Sequence, residues 1–418
     1  MPQLEVETGV ENESKWERAA FMAYLAVVGL LPFRFGSVTL FGLVVTLTDA
    51  AFVAAGTLWL GAWSFGRFRP RMSGLYWPMA AYAAAMAISI FASSEPKRSV
   101  VKFVGELYLM GLLFLSVNLV TSEARLARVC KTWLFVTAAT VVGCVVGIAF
   151  FYLGVRDRSL NLVLWNYGSL PPGNYPRLCG FFANGNMLCN YLIVSVMFAF
   201  VALQKSLLSP KLAGILLSLS GITAAFTFST GIGGIAVAGG VWLFLQARGT
   251  SREPLGKLAL ASGLAVGVAL LAATTVSFSG GAMHAGPRLL LWADAFRTFA
   301  AHPLTGKGVG TDPVLVHWVN PSGVTENLTE AHNVFLSIAA QEGLLGLLAF
   351  VWLVLWFLYS WKRSPSAPWT RALGCAFVGS LLYHGLSGAF EDARHVWILM
   401  GLFCAVMMFK EERIEVQS

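Results

Sequence analysis

Residues 329–357 read TEAHNVFLSIAAQEGLLGLLAFVWLVLWF, and this stretch decides the class of fold. From Val334 the run is apolar and carries one charge, Glu342, before Lys362. That is far longer than the roughly 10 residues of a barrel strand, so it reads as a membrane helix. His332 and Asn333 stand at its mouth. On a continuous helix Glu342 lies about 15 Å deeper than His332. A carboxylate there is costly unless paired or protonated, so its expected role is structural. Phe335, Leu336, Ala339, Gly343 and Gly346 follow His332 on one helical face. The two glycines let another helix approach closely. That face therefore packs inward, and His332 is expected to top an interior cleft.

The rest of the chain has the same character. Of its 418 residues 57% are hydrophobic and 12% charged, with a mean hydropathy of +0.69. No soluble domain of this size hides so much apolar surface. The expected fold is an all-α polytopic membrane protein of about twelve transmembrane helices. The apolar segments are 17–35, 38–65, 74–93, 100–121, 131–154, 181–204, 210–228, 230–247, 255–278, 332–361, 370–390 and 394–410. Only Ser229, Thr230 and Gly231 separate the seventh from the eighth, which reads equally as a hairpin or as one broken helix. Six cysteines, none in a CxxC pair, sit mostly in apolar spans as small hydrophobes, so no zinc site or redox chemistry is read.

Charge orients the bundle. The polar, acidic segment 1–15 lacks the basic start of a cleavable signal peptide and is expected in the cytoplasm. Its side of the bundle then collects Lys15 and Arg18; Arg67, Arg69 and Arg71; Arg125, Arg128 and Lys131; Lys205 and Lys211; Arg248, Arg252 and Lys257; Lys362, Arg363 and Arg371; Lys410 and Arg413. An excess of cations marks the cytoplasmic side, and an even span count returns the C-terminus there. The net charge of +8 is thus a topology signal, not a nucleic-acid one. Three parts follow: spans one to nine (1–278), an outer loop (279–331), and spans ten to twelve (332–418). A second long outer segment covers 156–180. All six histidines fall on the outer side: His284, His302, His317, His332, His384 and His395.

Gly286-Pro287-Arg288 leads into LLLWADAFRTFAAH. Leu289, Trp292, Ala293, Phe296, Phe299 and Ala300 share one face, which predicts an amphipathic helix on the outer leaflet or capping the bundle. Pro287 suits its first turn. Arg288 beside that turn reads as an anion site or as a snorkelling arginine. In YPRLCGFFANGNMLCN (175–190), Arg177 precedes span six, and Asn184 and Asn186 read as hydroxyl ligands or helix caps. GKGVG (306–310) lacks the Walker spacing and reads as a turn, with Lys307 contributing charge. Asp49 and the Lys102/Glu106 pair read as structural.

These motifs together resemble the O-antigen ligase family of lipopolysaccharide assembly, within the ligase/polymerase superfamily of lipid-linked sugar transferases. The resemblance rests on about twelve spans with one large loop between spans nine and ten. Its local elements are Arg288 with Leu291 and Trp292, Arg177 before span six, and His332-Asn333 followed by Gly343 and Gly346. It implies an inner-membrane glycosyltransferase with its active site facing the periplasm. It implies transfer of O-antigen polysaccharide from undecaprenyl pyrophosphate to a sugar hydroxyl of lipid A–core. In that role His332 is the base and Arg288 and Arg177 hold the pyrophosphate. Asn184, Asn186, Lys307, Asn333, Arg156 and Arg158 are further candidate substrate contacts. Asp312, Glu326 and Glu330 are scattered without metal-ligand spacing, so neither a metal nor another cofactor is expected. Rival readings are an O-antigen polymerase, a ligase that glycosylates pilin, and a lipid or solute transporter supported by Asp49, Glu106 and Glu342.

Overall fold

The computed structural model describes residues 14–33, 38–40, 43–65, 69–155, 163–164, 176–279, 282–319, 325–363, 367–386, 388 and 393–417. In chain order its elements are α1 (Lys15–Leu30), β1 (Val38–Leu40), β2 (Leu43–Val45), α2 (Leu47–Phe65), α3 (Tyr76–Phe91), α4 (Pro96–Leu119), α5 (Glu123–Tyr152), β3 (Val163–Leu164), β4 (Arg177–Leu178), α6 (Gly185–Gln204), α7 (Pro210–Phe226), α8 (Gly231–Ala247), α9 (Glu253–Thr275), β5 (Val276–Ser279), β6 (Ala282–Ala285), α10 (Pro287–Ala301), β7 (Val316–Val319), β8 (Thr325–Leu328), α11 (Val334–Arg363), α12 (Pro368–Leu386) and α13 (Arg394–Gln417). Twelve helices fall on the twelve apolar segments, and α10 is the helix expected inside the long loop. Among the described residues five helices, α4, α5, α6, α9 and α11, are long and apolar enough to cross a membrane by length and composition. The chain is an all-α polytopic membrane protein, with the strands confined to four small hairpins.

Side-chain caps start several helices where the sequence places Ser or Asn. Ser14, Ser122, Asn184 and Ser209 each accept a hydrogen bond from the third residue on. The packing centre is α6, apolar on every face and buried from Leu188 to Ala199. By contrast α9 exposes Leu255, Leu258 and Val268 and packs on α8 through a glycine seam. A Cβ on Gly240 would lie 2.8 Å from the Ala259 carbonyl, and one on Gly263 2.5 Å from the Ala236 carbonyl. Small residues let these backbones meet, as in membrane helix pairs. The α7 and α8 segments are two separate helices, and both pack against α6.

Contacts sort the helix ends into two sets. At one end Phe33 after α1 meets Phe181 before α6, with ring centroids 4.7 Å apart. There too Asp49 of α2 pairs with Arg394 of α13 at 3.1 Å, and Arg98 of α4 pairs with Asp312 of the long loop at 2.6 Å. At the other end Glu123 of α5 binds Lys205 beyond α6 and Trp369 of α12. Arg371 lies over the Trp242 ring, and the Arg71 amide bonds Asn118. The twelve helices therefore alternate in direction. The long loop gathers at the first end, with the starts of α4, α6, α11 and α13.

Several expectations need correction. Segment 38–65 is helical only from Leu47, because β-branched Val38, Thr39, Val44 and Val45 pair as a hairpin instead. Segment 255–278 leaves the helix at Thr275 for the same reason, in a run of Thr274, Thr275 and Val276. The face of α10 that packs on the protein carries Leu291 and Ala295, whereas Leu289 and Phe296 stay exposed. Of the predicted stripe Leu289, Ala293, Phe296 and Ala300 are exposed, while Trp292 and Phe299 are half-buried at its edge.

The largest correction concerns the opening stretch. α11 is broken at Gly343, where φ is +68° and ψ −160°. The break deprives four backbone groups of intrahelical partners, and residues 303–308 supply all four. Lys307 N–H and Gly308 N–H donate to the carbonyls of Ala340 and Gln341, each at 2.9 Å. Leu344 N–H and Leu345 N–H donate to the carbonyls of Pro303 and Leu304, at 2.8 and 3.3 Å. Gly343 therefore admits a loop where the sequence suggested a helix. Beyond the break 344–363 is 20 residues, about 30 Å of helix, which is one bilayer core. Glu342 closes the short segment before that span and is not buried deep within it. It accepts a hydrogen bond from the Tyr82 hydroxyl at 3.3 Å.

Candidate active site

His332 lies one residue outside the helix that was expected to begin with it. Its φ is +49°, a conformation that turns the chain into α11. Asn333 then caps the helix, its side-chain oxygen accepting from Leu336 N–H at 3.1 Å. This capping answers one question about the stretch: Asn333 serves the backbone, and His332 is left at the mouth.

α10 lies beside the first segment of α11. Leu291 and Ala295 of α10 share an apolar cluster with Ala331, Leu336 and Ala340. At one end the Arg288 guanidinium acts on His332, and at the other residues following α10 bond Ala340 and Gln341. The two segments therefore run parallel, and both begin at the site. Gly286 and Pro287 open α10 without a side-chain cap. Two helix N-termini, one bearing an arginine, make this corner favourable for an anion. Arg288 also donates from Nη1 to the Leu386 carbonyl at the end of α12.

Partial burial, with 36% of the side chain still exposed, and then the Arg288 charge push the His332 pKa down to about 4. Glu330 stands 3.5 Å from Nδ1, but its carboxylate is 71% exposed and well screened by water. The imidazole is therefore neutral at physiological pH and available as a proton acceptor.

Arg177 is 3% exposed and held by two bonds, from Nε to the Thr227 carbonyl at 2.7 Å and from Nη2 to Asn186 Oδ1 at 3.2 Å. It joins the start of α6 to the α7–α8 turn. Thr230 from that turn and Leu386 line one void of about 10 Å³ between α8, α9 and α12. That is room for roughly one water. The structure thus brings the Arg288 charge to bear on His332, while Arg177 is held separately by Thr227 and Asn186. Asn184 caps α6 by accepting from Met187 N–H at 2.9 Å. Lys307 donates to the Asp312 carbonyl at 3.3 Å, beyond the far end of α10, so it sits about 20 Å along that helix from Arg288. Arg156 and Arg158 lie outside the described residues.

Several residues were not anticipated. Asn190 of α6 and His384 of α12 pair at 2.8 Å in the buried bundle, two residues before Leu386. Polar groups in apolar spans were the available signal. Arg394 holds Asp49 and Thr46 together. The three carboxylates on which a transporter reading rests are held by Arg394, by Lys102 at 3.2 Å, and by Tyr82. Each of the three therefore has a partner within the fold.

Comparison with known proteins points one way. Residues 213–351 match the family model described as O-antigen ligase. That region runs from α7 into α11 and contains both Arg288 and His332. An O-antigen ligase of Pseudomonas aeruginosa strain PAO1 is 27% identical over 295 residues, 70% of this chain and 67% of that protein. Both matches are to O-antigen ligases, the family model over about a third of the chain and the Pseudomonas protein at 27% identity.

Proposed function

We propose that the chain transfers O-antigen polysaccharide from undecaprenyl pyrophosphate to a sugar hydroxyl of lipid A–core, on the periplasmic face of the inner membrane. The observation that carries this reading is the corner where Arg288 and a neutral His332 meet at two parallel helix starts. A pyrophosphate leaving group needs cations, and a planar guanidinium binds it through paired hydrogen bonds. An acceptor hydroxyl needs a base within reach, and His332 fills that role. Arg177 contributes a second cation, and Asn186, Asn184, Asn333 and Lys307 are candidate polar contacts for the sugars. The donor is already activated, so no nucleotide is required. The arginines replace a metal in neutralising the departing charge. With His332 taking the acceptor proton and the arginines taking the departing pyrophosphate, a single displacement inverts the configuration.

The experiment is ligation by the purified protein with lipid-linked donor and lipid A–core in detergent. Product is expected without ATP, in the presence of EDTA, and with inverted anomeric linkage by NMR. Activity lost to EDTA and restored by magnesium or manganese sinks the metal-free mechanism, and a retained configuration sinks the single displacement. No product in detergent returns the transporter reading.

The periplasmic placement has its own test. Leu315 lies in the long loop with its side chain 60% exposed. A cysteine there is expected to react with an impermeant maleimide on intact spheroplasts. Labelling only after lysis reverses the topology.

A further inference from the structure

The insertion of residues 303–310 into the break of α11 is fastened by side chains as well as backbone. Gln341 Oε1 accepts from Gly310 N–H at 2.7 Å, and its Nε2 donates to Ser337 Oγ at 2.8 Å. Ser89 of α3 bridges the two strands of the junction. Its hydroxyl donates to the Gln341 carbonyl at 2.8 Å and accepts from Val309 N–H at 3.0 Å. Gly306 and Gly308 of the loop adopt φ of +70° and +123°, and a Cβ on either would overlap Gln341 or Ser93. The GKGVG motif is therefore built for close backbone approach, and its glycines serve a protein surface in place of a phosphate.

The place of this junction in the fold gives it a further consequence. It joins the far ends of α10 and the first segment of α11, whose near ends carry Arg288 and His332. The side-by-side packing of Leu291, Ala295, Leu336 and Ala340 fixes their spacing along the way. Two parallel segments packed along their length and tied at one end cannot slide past each other without opening the tie, so the tie fixes how far along α10 His332 stands. We propose that Gln341, assisted by Ser89, is a positioning residue that latches the periplasmic loop into α11 and thereby sets the distance between Arg288 and His332.

The proposal rests on the assignment of His332 and Arg288 to the reaction, and the test separates the two. Among the described residues the charged groups acting on His332 are Arg288 from α10 and Glu330 from its own approach. Opening the latch moves the His332 ring away from Arg288 and toward water. The probe is the His332 ring resonance in isotope-labelled protein, identified by its absence in His332→Gln and followed against pH. In Gln341→Leu the midpoint is expected to climb from about 4 toward the ordinary 6.5. Turnover is expected to fall by about 10–10²-fold, with little change in donor KM. Ser89→Ala, which deletes one hydroxyl, is expected to shift both measures the same way by less, and it decides the matter if Gln341→Leu does not fold. An unmoved midpoint and unchanged turnover in the folded variants overturn the latch. A midpoint that rises while the acid limb of the pH–rate profile stays put upholds the latch and removes His332 as the base.

Discussion

His332→Ala is expected to fold, to bind the lipid-linked donor, and to lose turnover by about 10²–10⁴-fold, the usual worth of a positioned base. The position supports this. His332 lies outside the helix, so alanine removes no helix contact, and it keeps the same positive φ. Asn333 keeps the cap. The pH dependence is a stricter test. Burial first and Arg288 second hold the free imidazole at a pKa of about 4. Since a depressed histidine pKa keeps the ring neutral above that value, kcat/KM should stay flat from neutral pH down and fall only near pH 4. Such a low pKa makes a weak base, and the donor itself corrects this. Pyrophosphate bound at Arg288 offsets the guanidinium charge, one of the two causes of the depression, so the pKa in the complex rises. The acid limb of kcat is therefore expected at higher pH than that of kcat/KM, because the first reports the complex and the second the free enzyme. Coincident limbs would show that the anion does not bind beside His332. Turnover intact in His332→Ala would remove the base altogether.

The helices were legible because length and apolarity are local properties, and among the described residues five helices carry both in the measure a membrane span needs. The start of α10 was equally local, since Gly286, Pro287 and Arg288 carry the turn, the first helical position and the cation. What could not be read is non-local. Gly343 and Gly346 are spaced for helix packing, and nothing nearby says that residues 303–308 will fill a break at the first of them. Asp49 and Arg394 are 345 residues apart, so the carboxylate looked unpaired until the fold closed. For α10 the apolar stripe was visible, but two partners competed for it. The bundle took Leu291 and Ala295 and left Leu289 and Phe296 outside. The site divides in the same way. The sequence named both Arg288 and His332, while their meeting depends on two parallel segments, distant in sequence, that pack through Leu291, Ala295, Leu336 and Ala340 and are tied by the inserted loop.

Arg288→Ala is expected to lower turnover by about 10²–10³-fold, the cost of removing one charge partner from a transition state. Of the two arginines this one gives the cleaner experiment. Arg177 is buried and ties the α7–α8 turn to Asn186, so its removal orphans the Thr227 carbonyl and disturbs packing along with any chemistry. Arg288 is only half-buried and sits at a helix start, where its bond to the Leu386 carbonyl ties α10 to α12. Lysine is expected to rescue poorly, because a point charge lacks the planar fork that grips two phosphate oxygens. Two measurements separate anion binding from a packing role. Inorganic pyrophosphate should compete with donor in the wild type and lose affinity in Arg288→Ala. The acid limb of kcat/KM should also rise in the variant, since the guanidinium is one cause of the low His332 pKa. A variant that folds, ligates at the wild-type rate and keeps its pyrophosphate inhibition would show that Arg288 only fastens α10 to α12. The cation for the leaving group would then have to come from Arg177.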